Sequence, residues 1–198
     1  CAHNHDAHSR IRHRQPERRD NRTRRQTFNI ADHNTCDMRL IADQRFFTSV
    51  GGGSVLNTQN RLIDTLESAN LVFKAANFQV GGTVQLAIRK MTIFTTDGDS
   101  TQGESNPHTF GTSSSSTFLD QRSSESHGQY CLAHSFTYQD FDNGVLGLAF
   151  VGTICNGFQS SSAPSVNTGI TTALNGGSTS STLQTNIVFA HEVRVAPC

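Results

Sequence analysis

The sequence predicts a single α/β domain built on a mixed sheet, and three observations carry that expectation. From Ser54 onward, Val55, Leu56, Leu62, Ile63, Leu66, Ala69, Val72, Phe73 and Ala76 recur at three- and four-residue spacings. Arg61, Asp64, Glu67 and Lys74 fall between them, which is the period of an amphipathic helix. Residues 84–94 alternate Val84, Leu86 and Ile88 against Gln85, Ala87 and Arg89, the period of a strand. The elements then succeed one another as strand, helix, strand, strand, strand, helix, the order of an α/β sandwich. A length of 198 residues suits one domain with a real core, and two would be crowded.

The chain opens on CAHNHDAHSRIRHRQPERRDNRTRRQ, which has almost no apolar residues and no periodicity. Such a segment cannot bury enough surface to offset its ordering entropy, so it is expected to be flexible. Residues 38–42 (Met38-Arg39-Leu40-Ile41-Ala42) read as a strand, followed by Phe46-Phe47 and a Gly51-Gly52-Gly53 turn into the long helix. Phe78 to Val80 and Gly81-Gly82 lead into the strand at 84–94. Residues 95–128 are polar, with a serine run at 113–116, and read as an irregular insertion. Strands follow at 131–138 and 145–152, joined by a turn at 140–144. Polar loops at 156–167 and 175–182 flank a short strand at 168–174. A helix is expected at 183–195, apolar at Ile187, Val188 and Ala190.

Hydrophobic residues make up 34% of the chain, consistent with a folded domain carrying long polar loops. No stretch approaches the roughly 18 apolar residues that span a bilayer, and Cys1 begins no signal-peptide pattern. A start without Met is what an internal segment of a longer protein would show. The formal net charge of zero hides an asymmetry: residues 1–26 hold eight Arg against Asp6, Glu17 and Asp20, while the remainder is acidic. That split marks a tail joined to a domain. The basic tail has no aromatic residue on which bases could stack, which weighs against nucleic acid. Its end is more specific. Arg22-Thr23-Arg24-Arg25 fits the R-x-[KR]-R rule of furin-like proprotein convertases, ten residues before the first strand, where a propeptide would end. Cleavage there would remove the basic arm. Asn21-Arg22-Thr23 is also a glycosylation triplet. The five cysteines (Cys1, Cys36, Cys131, Cys155 and Cys198) form no C-x-x-C pair, which argues against a zinc ribbon or thioredoxin-like motif. Long-range disulfides and buried thiols both fit their spacing.

The chemistry-bearing signal is Phe189-Ala190-His191-Glu192-Val193. In the helical motif H-E-x-x-H, imidazoles at i and i+4 share one face and can reach one zinc ion. The Glu beside them can take a proton from metal-bound water. A lone His-Glu pair on an apolar helix is more often a core feature than a metal site, so context decides.

That context is a resemblance. Cys131-Leu132-Ala133-His134-Ser135-Phe136-Thr137-Tyr138-Gln139-Asp140-Phe141-Asp142, with Gly144 through Gly152, looks like the central strands of the ADAM family of metzincin, reprolysin-type zinc metalloproteases. It is most like the Kuzbanian-type, Notch-processing sheddases. Thr35-Cys36, Asn167-Thr168-Gly169-Ile170 and the segment 189–193 fit the same pattern. The resemblance covers residues 34–193. It is dense in 131–152 and thin in the loops.

The resemblance implies a metzincin-like, mostly parallel twisted sheet with packed helices and, here, a missing C-terminal subdomain. It divides the chain into a propeptide remnant with its convertase-site linker, 1–33, and an incomplete metalloprotease catalytic domain, 34–198. It implies zinc as cofactor, His191 as first metal ligand and Glu192 as general base. Leu146 and Gly147 would lie on the edge strand that pairs with extended substrate, Cys36 and Cys131 would form a disulfide, and Cys155 would pair beyond this chain. Arg22, Arg24 and Arg25 would form the propeptide cleavage site and Cys1 a propeptide thiol able to cap zinc. The partners implied are a proprotein convertase and protein substrates, the juxtamembrane stalks of cell-surface proteins, Notch-type receptors among them. Neither nucleic acid nor membrane contact by this segment is expected. The setting would be the secretory pathway and the outer side of a single-pass membrane protein.

After Val193 the pattern breaks. The family expects Gly and then the second His; this chain has Arg194 and Val195, with Pro197 and Cys198 beyond. Cys198 lies two helical turns from His191, about 10 Å along the axis, too far to replace an i+4 ligand. Agreement up to Val193 and none after it favours truncation of an active protease. The other expectation is a non-catalytic isoform that still binds extended peptides. Either way, little or no hydrolysis is expected of the chain as written.

Overall fold

A computed structural model of the protein describes residues 35–75, 84–96, 112–151 and 164–194. The basic arm with Cys1, Arg22, Arg24 and Arg25 lies outside the described residues. So do the segment 78–82, Cys155, and residues 195–198.

Five strands make one sheet in the order β2-β1-β3-β5-β4. They are β1 (Thr35–Ala42), β2 (Gln85–Ile93), β3 (Leu132–Thr137), β4 (Gly147–Ala149) and β5 (Thr168–Thr172). β1 pairs parallel with β2 and β3, and β3 parallel with β5. Only β4, at one edge, runs antiparallel. The sheet is therefore mixed, as expected from the order of elements, and mostly parallel, as the family resemblance implies. β3 is buried along its whole length, which is what a central parallel strand covered on both faces requires.

The long helix α2 (Val55–Ala75) and the last helix α4 (Thr182–Arg194) pack on one face of the sheet. Met38, Leu40, Leu132, Phe136, Leu62, Leu66, Phe73 and Phe189 share the core there. Leu56 and Val72, expected on the apolar face of α2, point outward instead, at 64% and 50% exposure. Thr58 and Thr65 take buried places, their hydroxyls donating to the carbonyls of Ser54 and Arg61 one turn back.

Two short helices depart from the sequence expectation. α1 (Gln44–Ser49) occupies the Phe46-Phe47 region, started by Asp43, whose carboxylate accepts from Phe46 N–H at 2.8 Å. α3 (Ser115–Ser123) stands inside the stretch read as an irregular insertion. Its serine run is a helix start, with Ser114 Oγ accepting from Thr117 N–H at 3.3 Å. Phe118 and Leu119 anchor α3 against Phe141, Ile170 and Leu148 on the second face of the sheet. Gly52 and Gly53, at φ of 61° and 72°, form the left-handed turn between α1 and α2.

The loop expected at 175–182 holds a small hairpin, β6 (Leu174–Asn175) and β7 (Ser178–Thr179). Asp140 fixes its tip by accepting from Gly176 and Gly177 N–H at 3.0 and 2.7 Å. The strand expected over 145–152 is limited to the three residues of β4. Cys36 and Cys131 form a disulfide that ties β1 to the residue preceding β3, with Cα atoms 5.3 Å apart. Among the described residues no helix is long and apolar enough to cross a membrane.

Candidate active site

The site is assembled where α4 crosses the antiparallel edge of the sheet. α4 starts at Ser181, whose hydroxyl accepts from Gln184 N–H at 3.1 Å. Its inner face buries Thr185, Phe189, Ala190 and Val193. Leu183, Ile187 and His191, four residues apart, form an outward stripe. His191 is therefore exposed, while Glu192, next to it, turns toward the sheet and is only 9% exposed.

Glu192 rests on Gly147. A Cβ placed on Gly147 would stand 2.6 Å from Val188 Cγ1 and 2.7 Å from Glu192 Oε1. Both are far inside ordinary contact, so the missing side chain is what lets helix and strand approach so closely. Burial pushes the Glu192 carboxyl up to about 7, since taking a carboxylate out of water disfavours its charged form. Among the described residues it has no hydrogen-bond partner.

The ladder between β4 and β5 decides which main-chain groups are available. Leu146 is directly opposite Thr172, whose N–H donates to Leu146 O at 2.9 Å, and Phe150 N–H donates to Thr168 O at 3.4 Å. In an antiparallel pair, hydrogen-bonded and non-bonded positions alternate. Leu146, Leu148 and Phe150 thus turn their polar groups inward to β5, and Gly147 and Ala149 turn theirs to the open edge. The two strand residues singled out from sequence, Leu146 and Gly147, are therefore not equivalent. Ala149, not singled out individually in the sequence, shares the outward position of Gly147.

Beneath α4 lies a group that the sequence did not flag. His134 on β3 is fully buried, edge-on to Phe189 with ring centroids 4.8 Å apart. Its Nε2 is 2.9 Å from Thr171 Oγ1, and among the described residues its Nδ1 has no partner. Desolvation lowers its pKa to about 3, so the ring stays neutral. Its only signal in the sequence was a His inside a segment read as a strand.

A catalytic zinc ion takes three protein ligands and a water. Among the described residues no group of three His, Cys, Asp or Glu side chains converges, and the position one turn beyond His191 is Val195, which has no donor atom. The donor set among the described residues does not fit such an ion. Cys36 and Cys131 are consumed by their disulfide.

A twisted, mostly parallel sheet with an antiparallel edge strand under a His-Glu helix defines a class, and comparison with known proteins specifies it. Residues 55–194 match the family described as metallo-peptidase family M12B, reprolysin-like. The chain belongs to that family of zinc metalloendopeptidases, and its fold is metzincin-like. It is similar to disintegrin and metalloproteinase domain-containing protein 10 of Mus musculus, with 31% identity over 180 residues, covering 86% of this chain and 24% of the relative. The Homo sapiens protein of that name is 31% identical over 173 residues, covering 82% and 23%. The Caenorhabditis elegans homolog is 26% identical over 186 residues, covering 80% and 20%. The chain thus spans about a quarter of the length of these curated relatives. A solved structure described as a chaperone-substrate complex aligns with a TM-score of 0.53 and 13% identity, over 83% of this chain and 24% of that one, which shows the fold alone.

Proposed function

We propose that this chain is the substrate-binding part of the endopeptidase domain of an ectodomain sheddase that trims juxtamembrane stalks of cell-surface proteins, Notch-type receptors included. The observation that carries this reading is the seating of Glu192 on Gly147, beside the outward main-chain groups of the β4 edge. An extended substrate adds to such an edge as a further strand, and a carboxyl at the same place is where a general base would act. Similarity to disintegrin and metalloproteinase domain-containing protein 10 over most of the chain supports the same assignment.

In this reading His191 is one zinc ligand of the complete domain. Arg22, Arg24 and Arg25 are the site at which a proprotein convertase removes the segment bearing Cys1. The protein then matures in the secretory pathway and works at the cell surface. The chain as written hydrolyses little or nothing, because α4 carries a single imidazole.

A chimera tests the proposal. Residues 35–193 would replace the matching segment of the mouse relative, which supplies the rest of the zinc motif. The chimera is expected to cleave a quenched-fluorescent stalk peptide, and Glu192→Ala to slow it by about a hundredfold or more. A folded, zinc-loaded chimera that leaves the peptide intact overturns the proposal.

A further inference from the structure

Away from the site at α4, the second face of the sheet covers a cluster of charged groups. His127, in the connection between α3 and β3, is fully buried there. Its Nδ1 is 3.3 Å from Arg39 Nη1 on β1, and its Nε2 is 3.1 Å from the carbonyl oxygen of Arg122 in α3. A guanidinium only donates and a carbonyl only accepts. The ring is therefore the neutral tautomer, with an unprotonated Nδ1 accepting from Arg39 and Nε2–H donating to Arg122 O.

The same connection is tied to the residues that enter β5. His127 N–H donates to Ser165 Oγ at 3.1 Å, and Ser165 Oγ donates to Glu125 O at 2.6 Å. Asn167 Nδ2 donates to the carbonyls of His127 and Tyr130 at 3.1 and 2.9 Å. Residues 124–130 and 165–167 are thus one hydrogen-bonded unit, held to β1 through His127 and Arg39.

We propose that His127 is an acid-operated latch, whose protonation releases residues 124–130 and 165–167 from β1 together, ahead of unfolding of the whole domain. The inference is independent of the protease assignment.

A proton on Nδ1 would set one N–H against another and cancel the bond from Arg39. The charges around the ring make that proton costly. Arg39 faces it from β1, Arg122 from α3 and Glu125 from its own connection. β2 adds Thr92, which accepts from Arg39 Nη2 at 3.5 Å, and Lys90, the ladder neighbour of Arg39. Residues 165–167 add no ionisable side chain. Glu125 already accepts from Arg39 at 3.0 Å and lies 3.6 Å from Arg122. The nearby carboxylate of Asp43 is engaged by Thr137 Oγ1 and Phe46 N–H. An imidazolium would therefore be a third cation sharing Glu125 with two guanidiniums, and moving the ring into water removes the conflict. Burial holds its pKa down to about 4, with Arg39 and Arg122 acting in the same sense and Glu125 against them. A ring freed to solvent returns to about 6.5. The released form binds the proton more tightly, so the latch is closed above pH 6.5 and opens progressively as the pH falls toward 4.

Amide hydrogen exchange on the full chain tests the latch. Between pH 7.5 and 5.0 the protection factors of the His127, Tyr130 and Ser165 amides are expected to fall about thirtyfold, the ratio that ring pKa values of about 4 and 6.5 give. At pH 5.0 these amides should be less protected than those of α2. His127→Gln can accept from Arg39 and donate to Arg122 O without titrating, and it should remove most of the fall. An equal fall in the variant, or protection that changes only in step with α2, overturns the inference. If the variant does not fold, the ring of the unaltered protein decides by nitrogen NMR. An unprotonated Nδ1 in the folded chain at pH 5.5 is expected, and a doubly protonated ring there overturns the latch.

Discussion

Gly147 sits where a helix and a strand leave no room for a side chain. Gly147→Val is expected to push β4 away from Val188 and Glu192 and to lower stability by about 1–3 kcal/mol, read from the urea midpoint. His134 gives a pH-dependent counterpart. Its imidazole titrates near 6.5 when unfolded and about 3 when folded, so the unfolded chain binds the extra proton between those values. Stability is therefore full above pH 6.5 and falls as the pH drops from 6.5 toward 3. At pH 5.5 the loss from this residue is about 1.4 kcal/mol relative to neutral pH. His134→Leu should lose that much less between pH 7.5 and 5.5, a difference that denaturant midpoints at both pH values would show; an unchanged pH dependence would refute the role given to burial. At this scale the sequence was informative about identity and silent about direction. His191 and Glu192 were legible as a pair, yet which of them faces solvent depends on how α4 rolls against Gly147. The outward direction of the Ala149 main-chain groups was not legible, because it is set by the register with Thr172 and Thr168.

α4 is held against α2 by a small polar network as well as by its apolar face. Asn186 accepts from Arg61 Nη1 and Thr65 Oγ1, both at 3.0 Å, and donates to Ser68 Oγ at 2.8 Å. Arg61 Nη2 also reaches Thr182 O at 3.2 Å. Asn186→Ala removes three of these bonds and is expected to cost about 1–3 kcal/mol. Faster amide hydrogen exchange should appear in α4 before α3, since the network touches only the former. Elements with strong periodicity were readable in advance: α2, β1, β3 and most of α4. α1 and α3 were not, because they are short and are specified by single caps, Asp43 and Ser114, rather than by repeating apolar positions. The β6–β7 hairpin was hidden for a similar reason, its tip being fixed by Asp140 from a distant turn.

Across the whole molecule the Cys36–Cys131 disulfide closes a loop of 95 residues that contains α1, α2, β2 and α3. Reducing it is expected to lower stability by roughly 2–5 kcal/mol, measurable as a shift of the thermal midpoint with and without reductant. The two rims of the sheet also differ. On β2 the outward pair of Leu86 is already taken, its N–H donating to Asn70 Oδ1 at 2.7 Å and its carbonyl accepting from Asn70 Nδ2 at 3.0 Å. Arg89 and Lys90 add charge along that rim, a familiar deterrent to further pairing. β4, short and uncharged, has no such guard among the described residues. Among the described residues, only the β4 rim is therefore open to lateral growth of the sheet. Two molecules that meet through β4 consume each other's open rim and present guarded ones outward, so crowding this chain should end at pairs rather than fibres.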